Sequence, residues 1–144
     1  MPPQVYSFYK DAAGTYRPMI PIRLTNPETK QSIMVMALLD TGADECVLPQ
    51  MCCDKTGHNL KGEGVVTKVN QGVGANQVSV WKHTFIIEIF SPDKRSIVWK
   101  SKPQLISCLD HEQAPPLLGW SGCMEFFNIR FNYPTKKIVI EFSK

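Results

Sequence analysis

The sequence predicts an all-β fold with one short helix close to its C-terminal end. Short runs rich in Val, Ile, Phe and Tyr recur along most of the chain, and clusters of Gly, Pro, Asn and Asp interrupt them at regular intervals. One stretch, Trp120 to Phe127, instead spaces its apolar residues with a helical period. Many short strands with few helices bury their apolar faces best in a barrel-like or sandwich core.

The elements follow in order. Val5 to Tyr9 is a brief aromatic and apolar alternation that Asp11-Ala-Ala-Gly14 breaks. Tyr16 to Leu24 alternates around Pro18 and Pro21, which favour a strand edge or a strand start because proline cannot donate to a ladder. Thr25 to Lys30 is a turn, so Pro21–Leu24 and Ser32–Leu39 form a β-hairpin. Cys46-Val47-Leu48-Pro49 is apolar again, and Pro49 opens a short helical turn through Gln50–Asp54. Val65 to Val69 alternates weakly, Asn70 to Asn76 is small and polar, and Val78 to Phe90 is a strong strand run, which together read as a hairpin with a Gly72-Val73-Gly74 tip. Ile97–Trp99 and Leu105–Leu109 are further short strands, followed by the loop Asp110–Pro116. After the helical stretch, in which Trp120, Cys123, Met124 and Phe127 share one face, Asn128–Asn132 and Lys137–Phe142 close the chain as strands about a turn at Tyr133–Lys136.

At 144 residues the chain is expected to form a single domain over 1–144, long enough to bury about two-thirds of its unfolded surface. Apolar residues make up 43% and charged residues 20%, with a net charge of +3 and no basic cluster, so neither nucleic acid nor a membrane is an expected partner. The five cysteines are odd in number and irregularly spaced, which suits reduced thiols and a cytoplasmic setting better than a disulfide framework. Cys52, Cys53 and His58, or Cys108 and His111, offer soft ligands without the paired spacing of a zinc site, so no metal and no cofactor is expected.

The chemistry centres on Ala37-Leu38-Leu39-Asp40-Thr41-Gly42-Ala43-Asp44. An apolar strand ends abruptly at a carboxylate, a hydroxyl and a glycine. Ionising Asp40 at the mouth of a buried strand is costly unless hydrogen bonds compensate. Gly42 is expected to allow backbone geometry or close approach that a side chain would forbid. Asp-x-Gly is also ordinary turn chemistry, in which the aspartate bonds its own backbone and the glycine supplies positive φ.

A second apolar-then-glycine junction, Leu117-Leu118-Gly119, follows the glycine-tipped hairpin. The order of apolar pair, Asp-Thr-Gly-Ala, hairpin, apolar pair plus Gly, short helix and last strand resembles the retroviral-type (retropepsin-like) aspartic proteases. The resemblance runs from about Arg17 to Phe142. It implies a closed β-barrel equivalent to half of an acid protease, with a flap hairpin. It also implies an aspartic endopeptidase acting on extended peptide or protein substrates. Two aspartates around one water are needed for that chemistry, and this chain carries one Asp-Thr-Gly. Activity would then require a homodimer with Asp40 from each subunit on the two-fold axis. By the same resemblance Thr41 bonds across the dimer, and Gly42, Ala43 and Asp44 meet substrate together with Gly72, Val73 and Gly74 of the flap. Leu117, Leu118 and Gly119 support the loop from behind.

The chain departs from that pattern at Trp120, where many viral members carry an Arg that reaches the acid matching Asp44. Asp44 must therefore find another partner. The terminal strands are open to interleaving into a dimer sheet, as in the viral enzymes. The rival function is a dimer of the same fold that grips a peptide or partner without cutting it.

Overall fold

A computed structural model describes residues 2–71 and 77–142. Its largest sheet is built around β4 (Met19–Thr25), β5 (Ser32–Leu39) and the long β8 (Gln77–Phe90). β4 and β5 form the expected hairpin, in register from Met19↔Leu38 to Thr25↔Ser32. Pro21 is tolerated inside β4 because the pairing of β4 with β8 begins one residue later, at Ile22↔Ile89. Within that ladder Arg23 forks onto Glu88, Nε to Oε1 at 2.9 Å and Nη2 to Oε2 at 3.0 Å. The carboxylate is almost wholly buried, so this bidentate pair fixes the register of the two strands.

β8 changes neighbours along its length. Trp81 lies between Thr67 of β7 (Thr67–Gln71) and Cys108 of β10 (Gln104–Cys108), and Glu88 lies between Arg23 and Lys100 of β9 (Ile97–Lys100). The two-residue strands β6 (Val47–Leu48) and β11 (Leu117–Leu118) complete the path, in the order β10–β6–β11–β5–β4–β8. β10 also pairs with β8, so the path returns on itself. Ile20, Ile22, Leu24, Leu39, Leu48, Phe85, Ile87, Ile89, Ile106 and Leu118 fill the interior of this circuit. Between β6 and β7 lies the α-helix α1 (Gln50–Asp54), which starts after Pro49 as expected and buries Cys52 and Cys53.

The termini form a smaller sheet. β1 (Gln4–Ser7) pairs antiparallel with β13 (Lys137–Phe142), which pairs on its other side with β12 (Phe127–Asn132). Tyr6, Ile138, Ile140 and Phe142 face the core, and the Tyr6 hydroxyl donates to the Phe90 carbonyl at 2.6 Å. The strands β2 (Tyr9–Lys10) and β3 (Tyr16–Arg17) make a separate small hairpin.

The expected helix over Trp120–Phe127 is corrected to a single 3-10 turn, Met124–Phe126. Gly122 sits at φ 81°, a conformation no helix continues through, and a Cβ there would strike the Gln104 side chain. Phe127 is already in β12, opposite Phe142, with its ring edge-on to Trp99 and Phe142 at 5.0 and 4.8 Å. Sheet pairing and aromatic packing outweigh the weak helical period.

Candidate active site

The aspartate loop hangs from two strands that are joined through a third. β5 leads into it and β6 leaves it, but β11 inserts between them, parallel to β5 (Leu117↔Leu38, Leu118↔Leu39) and antiparallel to β6 (Leu117↔Val47). The Asp40 amide donates to the Leu118 carbonyl at 3.1 Å, one more rung of the β5–β11 ladder before the chain turns. The turn then closes on the side chain. Gly42 N–H donates to Asp40 Oδ1 at 3.0 Å, and Ala43 N–H donates to the Asp40 carbonyl at 3.1 Å. Turn chemistry and exposure of a carboxylate are here the same geometry. Asp40 is half-buried, with Thr41 and Gly42 exposed beside it. Among the described residues no cation pairs with Asp40.

The far side of the loop is welded to the segment after β11. Trp120 N–H donates to the Ala43 carbonyl at 3.1 Å and Ser121 N–H to the Asp44 carbonyl at 2.9 Å. Gly119 has no room for a side chain, because a Cβ would be driven into the Glu45 backbone. Glycine is thus required at Gly119. At Gly42 it is not required by conformation, which corrects the expectation: its φ is not positive, and a Cβ would only approach Asp40 Oδ1 at 3.4 Å. What Gly42 contributes is an uncovered backbone beside the carboxylate.

Asp44 finds its partner in the residue that replaced the arginine. The Trp120 indole Nε1–H donates to Asp44 Oδ1 at 3.2 Å, and Trp120 remains 50% exposed. A neutral donor takes the place of a charged one.

A cleft of about 600 Å³ opens beside the loop. Gly42, Ala43 and Asp44 line it from the loop, and Lys68, Val78 and Val80 line it from β7 and β8. β7 and β8 therefore wall part of the cleft, while Gly72, Val73 and Gly74, expected at the tip of their hairpin, lie outside the described residues. Leu118 is fully buried, whereas Leu117, expected only to support the loop from behind, also lines the cleft. The sequence profile of the retroviral aspartyl protease family matches residues 14–99, which carry both the Asp-Thr-Gly loop and the β7–β8 pair.

The chain belongs to the retroviral aspartyl protease family.

Among solved structures, a retropepsin-like aspartic protease from Rickettsia conorii is similar in fold, with a TM-score of 0.54 at 15% identity over 96% of this chain and 91% of that one. No curated protein matches the sequence. The family match stops before β11, so the second half of the loop's support is placed by the fold and not by the profile.

Several members of this retropepsin-like site escaped sequence reasoning. Glu45, Lys68, Leu109, His111 and Ala114 line the cleft, yet they are scattered over segments with no motif of their own. His111 was visible only as a potential soft metal ligand. Among the described residues no three His, Cys, Asp or Glu side chains gather as a metal site. The cysteines pack instead behind the site, all five free and buried. A hydrogen bond from Cys123 holds the Cys46 thiol below its ordinary range, and the same contact pushes Cys123 up. Cys108 is likewise raised by its bond to Cys53 and by burial.

Proposed function

We propose that this chain is an aspartic endopeptidase that hydrolyses extended polypeptides as a homodimer. The observation that carries the reading is Asp40. Its carboxylate is held by the Gly42 amide in a loop whose next residues, Gly42 to Asp44, line an apolar-walled cleft, and it has no cation of its own among the described residues. One such group cannot both take a proton from water and polarise a carbonyl, and no second Asp-Thr-Gly exists in the sequence.

In the proposed dimer the two Asp40 carboxyls share one proton around a single water. The ionised one takes a proton from that water, and the protonated one hydrogen-bonds the scissile carbonyl, so that attack gives a tetrahedral intermediate without an acyl-enzyme. The pair titrates as a unit. Substrate lies extended between the loop and the hairpin, adding a strand to strands. Val47, Val78, Val80, Leu109 and Leu117 favour apolar side chains next to the scissile bond. The free, buried cysteines favour a reducing, cytoplasmic setting.

The test pairs sedimentation equilibrium with cleavage of a mixed peptide library, for wild type and Asp40→Asn, with a statine-type inhibitor as control. The expected result is an inhibitor-sensitive activity that rises and falls on the acid side of neutral and drops at least about 10³-fold in Asp40→Asn. Cleavage that survives Asp40→Asn, or a strict monomer that cuts nothing at any concentration, rejects the proposal.

A further inference from the structure

Among the described residues, Glu45 is the carboxylate that meets two lysines. Its Oε1 accepts from Ser107 Oγ at 2.7 Å, its Oε2 accepts from Lys82 Nζ at 3.0 Å, and Lys68 Nζ stands 4.0 Å from the same oxygen. The three partners come from three strands: β10, β8 and β7. The Glu45 backbone, meanwhile, is bridged to Ser121 and is the surface against which Gly119 packs. One residue therefore has its main chain fixed to the support of the aspartate loop and its carboxylate fixed to both strands of the β7–β8 hairpin.

The grip is at the hairpin's root. The β7–β8 ladder ends at Thr67↔Trp81, and Lys82 follows, with its N–H donating to the Val66 carbonyl at 2.9 Å. Side-chain exposure falls from 53% for Lys68 to 31% for Glu45 and 16% for Lys82. The Lys82–Glu45 pair is the sheltered arm, further satisfied by the buried Ser107 hydroxyl, and the Lys68 arm is solvated. A sheltered, charge-assisted pair with a second hydrogen bond is worth more than an exposed one. An ion pair placed for general stability would not need to join these particular elements. The span from loop to hairpin root is the dimension that an extended peptide must fit.

We propose that Glu45 is a positioning residue that couples the root of the β7–β8 hairpin to the aspartate loop and so sets how tightly a peptide is held between them. Its kinetic consequence rests on the endopeptidase reading; its structural consequence does not. Glu45→Gln keeps an acceptor for Ser107 and removes the charge that Lys82 and Lys68 see, and Lys82→Met removes the donor from the other side. Amide hydrogen exchange without peptide reads the hairpin root, and steady-state cleavage of an extended peptide reads the consequence.

Exchange over 67–69 and 78–81 is expected to accelerate about tenfold in either variant with β4 and β5 unchanged. KM is expected to rise about tenfold with kcat within about twofold, and the double variant should be no worse than either single one. Root exchange that stays at the wild-type rate in both variants overturns the proposal, as does acceleration spread equally through β4 and β5. Faster root exchange with an unchanged KM removes the role in holding peptide. If wild type cleaves no peptide, the endopeptidase reading falls, while accelerated root exchange in both variants still supports the coupling.

Discussion

Two glycines of the site illustrate how differently one residue type can be constrained. Gly119 is packed against the Glu45 backbone so closely that a methyl group has nowhere to go, because neither β11 nor the loop end can yield without breaking their shared hydrogen bonds. Gly42 has no positive φ, and a methyl group there would meet only Asp40 Oδ1, at an ordinary contact distance of 3.4 Å. Gly119→Ala should therefore destabilise the chain by about 3 kcal/mol or more, or prevent folding, whereas Gly42→Ala should stay within about 0.5 kcal/mol of wild type by urea denaturation. On the endopeptidase proposal activity should fall in both, in the second because the added methyl would cover backbone offered to a bound peptide. A Gly42→Ala variant that unfolds as readily as Gly119→Ala would contradict this placement. Asp44 offers a similar lesson. The sequence showed that the usual arginine is missing, but only geometry shows that the indole N–H of the substituting Trp120 reaches the same acid.

At the scale of elements, the local hairpins were legible and the long-range insertions were not. Pro-flanked β4, the Thr25–Lys30 turn and the apolar run of β8 carry their own signals, so the β4–β5 hairpin and β8 emerged with nearly correct bounds. β11 is two residues long, and its place between β5 and β6 is decided by backbone partners far away in sequence. The segment from Thr56 to Gly64 holds neither strand nor helix, yet two imidazoles fasten it to β8. His58 Nε2 meets the Thr84 carbonyl and His83 Nε2 meets the Leu60 carbonyl, each at 2.8 Å, with the rings 4.7 Å apart. Burial lowers the His58 pKa, and the neighbouring His83 lowers it further, against the Thr84 carbonyl and Glu28, which favour the charged ring. A base whose folded pKa lies below its unfolded value of about 6.5 binds fewer protons when folded, so its contribution is complete above that value and declines as pH falls through it. The urea midpoint is expected to drop between about pH 7 and pH 5, above the range where carboxylates titrate. His58→Gln retains a donor for Thr84 and cannot titrate, so its midpoint should be flatter over that interval; an equal slope would place the effect elsewhere.

For the whole molecule, the arrangement of the termini limits how two copies can meet. The sequence left open whether Val5–Tyr9 and Ile138–Phe142 interleave with a partner. In the fold β1 is taken up by the chain's own β13, which β12 flanks on its other side, and the inward faces of all three serve the chain's own core. The outward face mixes Ser7, Lys137, Arg130 and Glu141 with Val5 and Val139, which is a solvated surface more than a seam. The aspartate loop, by contrast, presents exposed Thr41 and Trp120 next to the carboxylate that the proposed dimer would pair with a second copy of itself. Association should therefore be centred on the loop. Thr41→Val, which deletes a hydroxyl and preserves the shape, is expected to weaken dimerisation by about tenfold in sedimentation equilibrium and to lower activity most at low protein concentration. Val5→Glu, on the outward face of β1, should leave the dissociation constant within about twofold. The opposite ranking, with Val5→Glu dissociating the dimer and Thr41→Val silent, would mean that the terminal sheet carries the interface and that each Asp40 is brought to its partner by contacts made away from the loop.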